Sequence, residues 1–219
     1  MLFNFDIYTG KDAADDEGLT HAVVHRLTAD LAAGHNVVLF TDNFYTSPAL
    51  AESMFARSIY LTGTLRLNRC GVPEEFQCDR KAFKKRSERG VTRYIQKNDI
   101  LYQQWKDRRC VTMLSTIHRG NDHCMVTRNA KVNGAHQQLQ IRQPKCIRDY
   151  NQKMGGVDCF DQHVAAYRVL RRTRKYWRSI FLDCIDITAV NSYKMFQSYR
   201  QNSLVPLLVC APTVRLTSV

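Results

Sequence analysis

Residues 37–41, Val-Val-Leu-Phe-Thr, form a short apolar, β-branched run that ends in Asp42. A run of this length reads as a buried strand. Ser47-Pro48 then supplies an N-cap and a proline for the first helical position, predicting a helix over 48–57 with Leu50, Met54 and Phe55 inward. Residues 60–65 read as a strand again. Upstream, residues 3–8 alternate apolar and polar, which predicts a strand. Leu19, Val23, Leu27 and Leu31 recur every fourth residue, predicting a helix over 19–33 that closes at Gly34. Alternating strands and helices specify an α/β sheet. Asp42 then lies just past the carboxyl end of its strand, where open α/β sheets hold their active groups.

The pattern changes after residue 68. Residues 80–90 are densely basic, and 91–96, 99–106 and 110–117 are short strand-like runs. Residues 71–145 read as a β-rich and loop-rich insertion, within which 118–145 have little periodicity and are expected to be an ordered loop. Residues 156–169 and 175–200 read as helices. On the second, Trp177, Phe181, Cys184, Ile185, Thr188, Asn191 and Met195 make a mostly apolar stripe. The domain plan is therefore 1–70 first part of the core, 71–145 insertion, 146–167 last part of the core, 168–205 helical region and 206–219 tail.

A chain of 219 residues with 44% hydrophobic content can fill one domain core. Lys and Arg number 32 against 20 Asp and Glu, a net charge of +12, which points to a polyanionic partner, most simply DNA. Eight cysteines show no Cys-x-x-Cys pair, and no signal-peptide pattern opens the chain, so reduced intracellular thiols are expected and a structural zinc site is not. Residues 204–212 are apolar but too short to span a bilayer and contain two prolines, so no membrane partner is expected.

Two segments carry candidate chemistry. Asp42 closes the strand; a lone Asp there is as readily an N-cap or turn former, but Asn43 and Ser47 are at hand for the capping roles, which would leave the Asp42 carboxylate for a hard cation such as Mg²⁺. Asp158 and Asp161 follow Gly155-Gly156 and stand three apart, on one face of a helix; the bland alternative is a solvated helix start that complements the dipole. Converging carboxylates are what a two-metal phosphoryl-transfer site needs. Lys84, Lys85 and Arg86 in one basic run, and Arg171, Arg172, Arg174 and Lys175 in another, are candidate phosphate contacts. Trp105 and Trp177 are expected in the core rather than stacked on bases. Glu74 and Glu75 read as a loop pair on the surface. The seven histidines show no zinc-like pairing with cysteine, and His21 and His25 lack a third ligand.

Four blocks, in order and spacing, carry a resemblance. They are Phe5-Asp6-Ile7-Tyr8-Thr9-Gly10-Lys11; Thr41-Asp42-Asn43-Phe44-Tyr45-Thr46-Ser47 with Gly63-Thr64-Leu65-Arg66-Leu67-Asn68-Arg69; Trp105-Lys106-Asp107-Arg108 with Leu114-Ser115-Thr116-Ile117-His118; and Pro144-Lys145 through Gly155-Gly156-Val157-Asp158 to Asp161-Gln162. Together they resemble the piggyBac family of DNA transposases and their transposable-element-derived relatives. The resemblance implies an RNase H-like core interrupted by an insertion and followed by a DNA-binding and dimerisation region. It implies cut-and-paste transposition at TTAA sites in the nucleus, with three aspartates holding two Mg²⁺ ions and no small-molecule substrate. On the resemblance Asp42 matches the second catalytic aspartate, Asp158 the third, and Asp161 the acidic position that follows it.

The family's first catalytic aspartate lies on the first core strand, before the Tyr-x-Gly-Lys block, which here begins almost at Met1. The chain is therefore expected to be a fragment lacking that strand and its ligand, with strand edges left open and no activity on its own. The alternatives are a domesticated, non-catalytic DNA- or chromatin-binding protein, in which Asp42 and Asp158 are dispensable, and a remnant that does not fold stably.

Overall fold

The computed structural model describes residues 1–7, 18–31, 37–78, 83, 87–132, 135–168 and 173–200. In chain order the described elements are α1 (Leu19–Leu27), β1 (Val38–Thr41), α2 (Pro48–Ala56), β2 (Tyr60–Thr64), α3 (Glu74–Cys78), β3 (Thr92–Lys97), β4 (Ile100–Lys106), β5 (Cys110–Ser115), β6 (His123–Val132), β7 (Ala135–Pro144), α4 (Lys145–Lys153), α5 (Gly156–Tyr167) and α6 (Tyr176–Arg200). They group into two compact units, one within 1–31 and 153–219, the other within 32–152.

The 32–152 unit is built on a mixed sheet of order β1-β2-β5-β4-β3. β1 and β2 are parallel, with Thr41 opposite Gly63, and the remaining pairs are antiparallel. A parallel pair needs a crossover, and α2 supplies it. Ser47 Oγ accepts the Leu50 amide at 3.1 Å, Pro48 fills the first helical position, and Leu50, Ala51 and Met54 are buried. β4, between β5 and β3, is a run of buried residues, and its Trp105 anchors a cluster with Met113, Ile141, Cys146, Ile147 and Tyr150. Strands β3 to β5 thus continue the sheet of β1 and β2, although the sequence pattern placed them in an insertion.

Residues 118–145 are not a loop. They hold β6 and β7, an antiparallel ribbon paired from His123 with Pro144 to Val132 with Ala135. The ribbon was illegible because its inward row is chemically mixed (Cys124, Val126, Arg128, Ala130), so no apolar period emerges. Its inward side is fixed by distant groups: the Trp105 indole donates to the Arg142 carbonyl at 2.9 Å, and Asp107 pairs with Arg89 and Arg128. Helix α4, also unforeseen, places Cys146, Ile147 and Tyr150 on one buried face. Glu74 and Glu75 open helix α3, where carboxylates suit the helix dipole, rather than lying in a loop.

In the other unit, residues 1–7 form no strand. Leu2 instead exchanges two hydrogen bonds with the Asn191 carboxamide, at 2.8 and 2.9 Å, and packs beside Phe160, Val164, Val190 and Ile187. A polar side chain on α6 satisfies the backbone that strand pairing was expected to satisfy. Helix α1 ends at Leu27, not near 33, and the Thr28 hydroxyl donates to the Val24 carbonyl at 2.8 Å. Gly34 lies outside the described residues. Of the stripe foreseen on α6, Trp177 (52% accessible), Phe181 (61%), Ile185 and Met195 are exposed, whereas Cys184 and Asn191 are half-buried. The inward residues of that helix are Val190, Ile187 and Asn191. Trp105 is in the core as expected, but Trp177 is not.

Candidate functional site

Asp42 follows the carboxyl end of β1 and is held by its own turn. Its Oδ1 accepts the backbone amides of Phe44 at 3.0 Å and Tyr45 at 3.2 Å. The capping was expected to fall to Asn43 and Ser47; Ser47 caps α2, but Asn43 Oδ1 accepts from Arg66 Nε at 2.9 Å, and Asp42 caps the turn itself. Burial, and then the Asp42 charge, push the Tyr45 phenol above its ordinary pKa. Beneath the turn, Thr46 Oγ1 bonds to Thr41 Oγ1 at 2.7 Å and to the Asp42 carbonyl at 2.6 Å. Gly63 of β2 makes this possible: a Cβ there would lie 2.2 Å from Thr46 Oγ1 and 2.6 Å from the Thr41 carbonyl oxygen.

Two guanidinium groups flank the turn. Arg66 holds Asn43, and Arg69 donates to the Phe44 carbonyl, leaving Phe44 exposed between them. Neither arginine was singled out from the sequence, since no local pattern shows that the loop after β2 returns to the turn after β1.

Asp158 lies in the first turn of α5, exposed, and belongs to the other unit. Asp161 diverges from it. It is half-buried and borders a cavity of about 90 Å³ lined by Leu2, Phe5, Phe160, Val164 and Ile180. The close backbone approach expected of Gly155-Gly156 is not seen at Gly155, whose φ is −74° and whose added Cβ would meet nothing within 4 Å. Asp42 and Asp158 offer hard oxygen donors without ion-pair partners among the described residues, which is the chemistry a divalent cation needs. Among those residues, however, no three His, Cys, Asp or Glu side chains gather as a ligand set.

Arg174 and Lys175 are exposed and run directly into Tyr176, Trp177 and Arg178, with the Arg178 guanidinium 5.3 Å from the Trp177 ring. Lys84, Lys85, Arg86, Arg171 and Arg172 lie outside the described residues.

A Ser115–His118–Asp149 chain superficially matches a nucleophilic triad, with Ser115 Oγ 2.8 Å from His118 Nδ1 and His118 Nε2 3.2 Å from Asp149 Oδ2. Ser115 is buried, and its Oγ also meets the amides of Ile117 and His118 and the Thr62 hydroxyl. A hydroxyl so enclosed cannot reach a substrate, and the chain instead ties the sheet to α4. Burial raises the Asp149 carboxyl, but hydrogen bonds from His118 and Arg148 outweigh it and hold the group below its ordinary pKa. Cys146, on the same helix, is pushed up to about 12 by burial and is an inert thiol.

A family model described as Transposase IS4 matches residues 1–193. The chain belongs to this piggyBac-type transposase family. It is 29% identical over 202 residues to the human PiggyBac transposable element-derived protein 3, covering 89% of this chain and 33% of that one. It is 27% identical over 175 residues to the human PiggyBac transposable element-derived protein 2, covering 78% and 28%. The chain thus spans about a third of the length of the curated relatives it matches. Among solved structures it is similar to a piggyBac transposase in a synaptic complex with hairpin DNA, with a TM-score of 0.69 at 20% identity over 89% of this chain and 38% of that one. That likeness establishes the fold: an α/β, RNase H-like core with a mixed sheet and C-terminal helices.

Proposed function

We propose that this chain carries part of the catalytic core of a divalent-metal-dependent DNA transposase, of the type that cuts and joins DNA at TTAA sites in the nucleus. The observation that carries the reading is the Asp42 turn. One oxygen is spent on backbone amides, the other has no protein hydrogen-bond partner among the described residues, and Arg66 and Arg69 hold the turn at Asn43 and Phe44. A preorganised carboxylate with one oxygen left open is what a metal-dependent site acting on a phosphodiester requires. By the family resemblance Asp42 and Asp158 would each offer an oxygen to Mg²⁺, with Asp161 three residues beyond Asp158 on α5. The metal would supply Lewis acidity for attack by a water or a 3′-hydroxyl on phosphorus. Arg66, Arg69, Arg174 and Lys175, with Lys84, Lys85, Arg86, Arg171 and Arg172, would contact phosphate, and the exposed residues of α6 would serve a homodimer.

The 219 residues supply two of the three carboxylates that the family resemblance assigns to the reaction. Alone, the polypeptide is expected to bind duplex DNA without cutting it. Mg²⁺-dependent cleavage of TTAA-flanked DNA that Asp42→Ala abolishes would show the chain to be self-sufficient. A second reading is a DNA- or chromatin-binding protein without catalysis, in which Asp42 serves as the cap of its own turn, the role its Oδ1 fills. The two readings separate on Mn²⁺ binding followed by electron paramagnetic resonance. The transposase reading expects bound Mn²⁺ that Asp42→Asn releases; the binding-protein reading expects none.

A further inference from the structure

The β6–β7 ribbon presents an outward row of exposed side chains that the metal site does not use and whose hydrogen bonds, Gln140 to Thr127 and Arg142 to His123, stay within the ribbon. In antiparallel pairing, residues directly opposite share a face. Thr127 faces Gln140 and Asn129 faces Gln138, and the 2.8 Å bond from Gln140 Nε2 to Thr127 Oγ1 confirms the shared side. Met125 and Arg142 continue the row, and His136 extends it toward the turn. All seven are exposed, whereas the opposite row holds Val126 and Ile141 against the Trp105 cluster and Arg128 against Asp107. The outward row is thus presented by an anchored element.

Its chemistry is selective. Residues 123–144 contain no Asp or Glu, in a chain that has 20. An ordinary solvated strand face mixes charges of both signs, and a carboxylate anywhere on this row would repel a polyanion. Carboxamides dominate instead, and Asn or Gln can donate to and accept from one adenine edge at once. The dimensions agree as well. Strands ~4.8 Å apart make a ribbon narrow enough for the major groove of B-form DNA, which is about 12 Å wide. The six pairs from Thr127 with Gln140 to Val132 with Ala135 extend roughly 17 Å along it.

We propose that the β6–β7 ribbon enters the major groove of duplex DNA and reads base edges through Asn129, Gln138 and Gln140, with Arg142 on the flanking phosphate. This rests on the reading of the chain as a DNA-binding transposase core and adds the element that gives it sequence preference. The deep, narrow major groove of duplex RNA excludes such a ribbon, so the surface discriminates between the two nucleic acids.

The test is selection of bound duplexes from a randomised DNA pool by the 219-residue chain, repeated with Asn129→Ala/Gln138→Ala and with Arg142→Ala. The wild-type chain is expected to enrich an A·T-containing motif. The double variant should lose about tenfold or more of the discrimination at one or two positions while keeping salt-dependent affinity for unselected DNA. Arg142→Ala should weaken all sequences alike. Unchanged melting temperatures establish that these exposed substitutions leave the fold intact. If wild type and double variant enrich the same motif equally, or if duplex RNA competes as well as duplex DNA, the ribbon proposal is overturned and DNA binding survives. If the wild-type chain binds no DNA at all, both fall together.

Discussion

At Asp42 the two carboxylate oxygens have different roles, and substitution can separate them. Asn retains an oxygen for the Phe44 and Tyr45 amides, so Asp42→Asn is expected to keep the melting temperature within about a degree while losing bound Mn²⁺. Asp42→Ala also orphans the turn amides and is expected to cost about 1 kcal/mol in denaturant unfolding. Gly63 is the least replaceable residue near the site. Gly63→Ala puts a methyl group into Thr46 and the Thr41 carbonyl, and a cost of roughly 1–3 kcal/mol is expected from overpacking. Asp149 sets a pH dependence. Its carboxyl is held below the ordinary value, so its bonds to His118 and Arg148 contribute stability above about pH 4 and lose it as pH falls through the lowered pKa. Melting temperature measured from pH 7 to pH 2.5 should fall less steeply for Asp149→Asn than for the wild type. Of these residues only Asp42 was singled out from the sequence as a candidate. Gly63, Thr46, Arg66 and Arg69 matter through contacts across β1 and β2 that no local pattern encodes.

Among the elements, those specified by local chemistry were read closely. Helix α2 was predicted over 48–57 and spans Pro48–Ala56, because the Ser47 cap and Pro48 act within one turn. Ser47→Ala is expected to cost about 1 kcal/mol, measured by urea unfolding. Strands β2 to β5 fell within a residue or two of their predicted bounds, since turn residues and apolar runs delimit them. The ribbon β6–β7 and helix α4 escaped because their form depends on what they rest against. Trp105 supplies both the apolar cluster and the indole bond that hold the ribbon's base. Trp105→Ala should therefore loosen β6–β7 ahead of global unfolding, seen as faster hydrogen exchange at residues 123–144.

On the scale of the whole molecule, charge and exposed apolar surface set the behaviour. A net charge of +12 predicts DNA affinity that falls as salt rises, with a log–log slope of about −0.9 for each phosphate contact. The exposed Trp177, Phe181 and Ile185 on α6 predict self-association: apparent mass by light scattering should rise with concentration for the wild type and stay monomeric for Phe181→Ser/Ile185→Ser. The sequence by itself determined the α/β class, the strand–helix–strand unit, the place of Asp42 at a strand end and the positive net charge. These rest on apolar period, capping chemistry and net charge, which are local or summed along the chain. Only the tertiary structure decided that Leu2 bonds Asn191 and residues 1–7 form no strand, that Asp161 borders a cavity while Asp158 stays exposed, that Arg66 and Arg69 hold the turn after Asp42, and that residues read as a loop are an anchored ribbon. Each depends on a partner far away in sequence, and only folding brings such partners into contact.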